Sequence, residues 1–104
     1  MTRELLKRIR KKALESICKH RVSAIGLNRR GEVLCAYSNK PRFARLGGSV
    51  HAEMRVMLDS GPGLKVILVC RVNGRGEFLP IDPCVACASK AKELGAKIVP
   101  IMGD

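Results

Sequence analysis

The run Leu64 to Val72 limits the fold more than any other segment. A near-continuous aliphatic stretch of this length predicts a central strand buried on both faces. Such a strand needs helices on either side of its sheet, which points to a layered α/β domain. The flanking patterns supply them. Leu5, Leu6, Ile9, Ala13, Leu14 and Ile17 recur at helical spacing, so residues 4–18 are expected to form an amphipathic helix. Residues 22–27 and 32–37 read as two strands joined by a turn at Asn28-Arg29-Arg30-Gly31.

A polar loop over residues 38–49 follows, and then a helix from about Ala52 to Asp59 stopped by Ser60-Gly61-Pro62-Gly63. After the central strand, Asn73 to Gly76 reads as a flexible loop. Phe78 to Pro83 should be extended, because Pro80 and Pro83 disfavour helix. Cys84 to Leu94 returns to helical spacing, Gly95 ends it, and Lys97 to Met102 reads as a last strand. The expected order is α-β-β-α-β-α-β in a single domain spanning residues 1–104. Two crossover helices imply a mixed sheet of about four strands with helices on both faces, a three-layer α-β-α arrangement.

Charge is uneven along the chain. The net charge is +11; residues 1–50 hold 13 Lys and Arg against 3 Asp and Glu, whereas residues 51–104 hold 7 against 6. An anionic partner for the first half is one reading, and a solvated surface is the other. No apolar run reaches the roughly 18 residues of a membrane span, and the first residues lack the apolar core of a signal peptide. A cytoplasmic protein without membrane contact is the expectation. Five cysteines in such a chain argue against a disulfide framework. Cys18, Cys35 and Cys70 lie in apolar segments and read as core.

Only Cys84 and Cys87 have ligand spacing, and His51 stands 33 positions before Cys84. One imidazole and two thiolates leave a fourth tetrahedral position open, as a catalytic zinc site requires. His51 begins one predicted helix, and Cys84 and Cys87 share the first turn of the next. There, free N–H groups and partial positive charge favour thiolates and anions. Glu53, two residues past His51, is placed beside the open position, where a carboxylate can relay protons. A purely structural zinc is the bland alternative; Glu53 beside a vacant position opposes it.

The set His51-Ala52-Glu53 with Pro83-Cys84-Val85-Ala86-Cys87 resembles the cytidine and deoxycytidylate deaminase superfamily. The element order fits the same fold over nearly the whole chain. The resemblance implies one zinc ion held by His51, Cys84 and Cys87, with Glu53 as the proton shuttle. It implies that Asn39 contacts sugar or base and that the Ala52 N–H meets the base carbonyl. Arg42 and Arg45, in the loop leading to His51, are candidate phosphate contacts, which favours (deoxy)cytidylate among pyrimidine nucleosides and nucleotides. The sequence also departs from relatives. It has Pro80-Ile81-Asp82 before the Pro-Cys pair, a loop from Asn73 to Phe78, and four predicted strands where many relatives have a fifth. The open edge near Lys97 to Met102 would suit a homo-oligomer. Two alternatives stay open: a deaminase of cytosine in single-stranded DNA or RNA, which +11 favours and few aromatics oppose, and a non-catalytic zinc-binding interaction module.

Overall fold

The computed structural model describes residues 3–18, 20–41, 49–82 and 84–101. The elements are α1 (Arg3–Leu14), β1 (Arg21–Leu27), β2 (Val33–Ser38), β3 (Lys40–Pro41), β4 (Ser49–Val50), α2 (Ala52–Ser60), a short 3₁₀ turn (Gly61–Gly63), β5 (Val66–Val72), β6 (Phe78–Leu79), α3 (Val85–Glu93) and β7 (Lys97–Ile101). The main sheet runs β2-β1-β5, with β7 parallel and the two-residue β6 antiparallel along the far side of β5. The expected mixed sheet is present, with five strands rather than about four, the fifth being the two-residue β6.

Strand alternation sorts the core into two clusters. Ala24, Ile67 and Val69 face Ala52, Val56 and Met57 of α2 and Cys87 and Ala91 of α3. Ile25, Leu27, Leu68, Cys70 and Val72 face Ile9 and Ala13 of α1. Successive side chains of β1 and β5 thus enter opposite layers, which is why the aliphatic run in β5 is unbroken. The result is the three-layer α/β/α arrangement expected from the sequence.

α1 stops at Leu14, four residues short of its expected end. Glu15 and Ser16 close on Lys12 and Ala13 with tight i→i+3 bonds, and the Ser16 hydroxyl then leaves the helix for Asn39. Ile17, counted on the buried stripe, is consequently 83% exposed. Cys18 and Cys35 are half-buried, and only Cys70 of the three is fully enclosed. Within the segment read as loop, β3 and β4 form a small antiparallel ribbon. The loop after β5 is also ordered. Asn73 Oδ1 accepts from the Arg75 and Glu77 amides, repeating the pattern of Asn28 with Arg30 and Glu32. Gly31 and Gly76 close these twin turns at φ of +81°, a conformation glycine adopts without strain. Among the described residues, no helix is long and apolar enough to cross a membrane.

Gly26 sets the distance between α2 and the sheet. It lies where the β1–β2 register shifts, and a Cβ there would sit 2.7 Å from Val56 and 2.8 Å from the Ser60 hydroxyl. Gly26→Ala is therefore expected to cost about 2 kcal/mol through overpacking. Thermal unfolding should show a Tm lowered by roughly 10 °C; an unchanged Tm would mean that α2 is free to move outward.

Candidate active site

Two helix starts meet at one place. His51 and Cys84 are the N-cap residues of α2 and α3, with nearly the same extended backbone (φ −66°, ψ 136° and φ −64°, ψ 141°). Their carbonyls accept the first helical hydrogen bonds, from Arg55 and Ala88. Cys87 follows in the first turn of α3 and donates its amide to Cys84 Sγ at 3.4 Å. Because both helices pack on the same sheet face and touch each other, their N-termini converge.

The convergence places one His nitrogen and two sulfurs within 4.8 Å of one another. His51 Nδ1 lies 3.4 Å from Cys87 Sγ. A tetrahedral ion with bonds of about 2.3 Å to sulfur and about 2.0 Å to nitrogen spaces such a pair by roughly 3.5 Å. The donor set therefore fits a metal ion in both chemistry and spacing. The Cys87 thiol does not follow the expectation that a helix start favours the thiolate. Burial, then the Glu53 charge, then Cys84 push the Cys87 thiol up to about 12. Enclosure outweighs the helix field, so a cation must displace a proton to bind there.

Beside these donors lies a cavity of about 210 Å³ lined by His20, Val22, Asn39, His51, Glu53, Ile81, Asp82 and Cys84. It is smaller than the roughly 300 Å³ at which pockets for drug-sized ligands begin, and suits a single ring with a short substituent. Glu53 is only 4% exposed, yet none of the described residues hydrogen-bonds its carboxylate. Ala52, between His51 and Glu53, is fully enclosed. The motif residues His51, Glu53, Cys84 and Cys87 are thus brought together, and Asn39 joins them on the cavity wall. Arg42 and Arg45 lie outside the described residues.

Asn39 is already committed. Its Oδ1 accepts from the Ser16 hydroxyl at 2.6 Å and the Val22 amide at 3.1 Å, and its Nδ2 donates to the His20 carbonyl at 2.8 Å. One amide hydrogen is left over for anything in the cavity. The side chain thereby ties the end of α1 to the start of β1. Four wall residues have no place in the motif. Ile81 and Asp82 could have been found from their position just ahead of Cys84. His20 and Val22 carry no spacing signal. The aromatic side chains are used elsewhere: Tyr37 lies under Arg55 and Phe78 under Arg10, and Phe43 lies outside the described residues.

No family model and no curated protein sequence matches the chain. Solved structures do. A mutant of the cytidine deaminase from Mycobacterium tuberculosis superposes with a TM-score of 0.67 at 19% identity, over 97% of this chain and 85% of that one. The non-mutant enzyme gives 0.64 at 20% identity over 92% and 80%. The cytidine deaminase from Mycobacterium leprae gives 0.65 at 20% identity over 94% and 86%. This chain has the cytidine deaminase fold. At such low identity the likeness concerns architecture, and the chemistry must be argued from the site.

Replacing Asn39 by Ala strands the Val22 amide and the His20 carbonyl. Since each buried unsatisfied group costs about 1–3 kcal/mol, the variant should lose about 3 kcal/mol of stability in urea unfolding. A loss below about 0.5 kcal/mol, the range of an ordinary surface change, would rule out the latch.

Proposed function

We propose that the chain is a zinc-dependent deaminase, hydrolysing the exocyclic amine of cytosine in a nucleoside or nucleotide. The observation that carries this reading is Glu53. A carboxylate that is enclosed, without a described partner, and in the wall of a ring-sized cavity beside three metal donors has little structural use. A structural metal site would not need it.

His51, Cys84 and Cys87 would hold one zinc ion per chain. When bound, zinc supplies the Lewis acidity that makes water nucleophilic near neutral pH. Glu53 then takes a proton from the attacking water and delivers it to the adjacent ring nitrogen. A second proton passes through the same carboxylate to the exocyclic nitrogen, which leaves as ammonia. One water is consumed, the ring carbon exchanges a C–N bond for a carbonyl, and the product is uracil. The Ala52 N–H, among the free donors of the α2 start, would meet the ring carbonyl and orient the base. The enclosure of Glu53 limits exchange of its proton with bulk water.

The finer expectation, a 5′-phosphorylated substrate such as (deoxy)cytidylate, rests on Arg42 and Arg45 ahead of His51. A polynucleotide substrate is supported by the exposed Lys and Arg face of α1 but opposed by the lack of a Phe, Tyr or Trp ring among the described cavity residues. The exposed Leu58 and Val85 and the free edge of β7 would suit a second copy of the chain.

Glu53→Gln should lower kcat for ammonia release by on the order of 10³-fold. Zinc content by metal analysis should stay near one per chain, whereas Cys87→Ser should lose the metal and stability together. Full turnover by the Glu53 variant would defeat the assignment. A panel of cytidine, its monophosphates and a short oligonucleotide tests the carrier, and conversion of the oligonucleotide alone would replace the small-molecule reading.

A further inference from the structure

His20 stands just ahead of β1 and lines the cavity beside the metal donors. Its position is fixed twice. The backbone carbonyl is held by Asn39 Nδ2, and ring Nδ1 lies 2.8 Å from Arg71 Nη2. A guanidinium offers only donors, so Nδ1 must accept. In the neutral imidazole the ring proton then belongs to Nε2, and Arg71 has selected the tautomer.

Arg71 is placed for this by strand geometry. It pairs with Val22, another wall residue, and alternation puts it on the same sheet face as Ile67 and Val69, the face that carries α2 and α3. Among the described residues, its buried Nε has no hydrogen-bond partner. A guanidinium N–H left unmatched costs stability, which is tolerated where a ligand supplies the acceptor. The other charged residues of the wall, Glu53 and Asp82, are both acceptors. Besides the one amide hydrogen left on Asn39, the side-chain donor on this part of the wall is His20, with Arg71 behind it.

Resting on the deaminase reading, we propose that His20, set in its Nε2-protonated form by Arg71, is a substrate-positioning residue that donates a hydrogen bond to an oxygen on the sugar or phosphate of the bound molecule. The carboxylates Glu53 and Asp82 are left to face the donors of that molecule. Two sources share the acceptor chemistry, a sugar hydroxyl and a phosphate oxygen.

His20→Phe keeps a ring and removes the donor, and His20→Gln keeps a donor without the ring. With zinc-loaded protein, His20→Phe should raise KM roughly tenfold while kcat stays within about threefold, and His20→Gln should recover most of the loss. Cytosine, tested as a competitive inhibitor, should bind both variants as it binds the wild type. An equal rise for cytidine and its 5′-monophosphate assigns the contact to a hydroxyl, and a rise confined to the monophosphate assigns it to phosphate. An unchanged KM, or an equal loss for cytosine, overturns the proposal. Nitrogen-15 NMR of the histidine rings reads the tautomer directly: Nε2–H in the wild type, a mixture in Arg71→Met. Failure of wild-type protein to deaminate any of these compounds would sink the deaminase reading alone. The His20 assignment then stands or falls on whether its ring resonances move when cytidine or its monophosphate is added.

Discussion

The packing of α2 and α3 against one face of the sheet governs this molecule. Ala24, Ile67 and Val69 present a small, even surface, and Ala52, Val56, Cys87 and Ala91 lie flat on it. Cys87 belongs to that apolar seam and to the metal-donor group at once, so core packing and site geometry are the same contact. Helix position is set further along α2 by Gly26, whose missing side chain admits Val56 and Ser60. Tyr37 bonding to Asp59, and Arg55 lying over the Tyr37 ring while donating to the Ser38 carbonyl, clip the same helix to β2. An outward shift of α2 would carry His51 and Glu53 with it.

The opposite wall of the cavity is built by polar chemistry. Ser16, Asn39, Val22, His20 and Arg71 form a continuous chain of hydrogen bonds from the end of α1 to the end of β5. Its buried members, Ser16 and Asn39, are tolerated there because they are matched, and such networks then fix one arrangement. One wall thus rests on apolar packing and the other on hydrogen bonding, and the cavity lies between them.

The layered fold was legible in the sequence because β5 is apolar at nearly every position, and only burial on both faces explains that. The metal-donor group was legible because N-cap positions and an i, i+3 pair are local features of two helices. What escaped prediction depends on contacts between distant segments. α1 ends at Leu14 because Ser16 is captured by Asn39, 23 residues later. Asn28 and Asn73 begin similar five-residue turns, yet Asn73-Gly74-Arg75-Gly76 reads as loose because Gly content hides the Asx geometry. His20 and Arg71 are 51 residues apart and meet only because β1 and β5 pair in a particular register.

The electrostatics of the enclosed donors give a reason for the arrangement as a whole. Burial opposes ionisation of Cys87, and the nearby Glu53 carboxylate opposes it further, so the two anions disfavour each other when no cation lies between them. A divalent ion held by His51, Cys84 and Cys87 would neutralise the thiolates and favour the neighbouring carboxylate. On the proposed reading, the same groups would support one another around a bound ion, and cation binding would be coupled to the stability of the α2–α3 seam. A site arranged for structure alone would gain by omitting Glu53. Its place inside that seam, beside Cys87, is what the proposed proton-transferring role would call for.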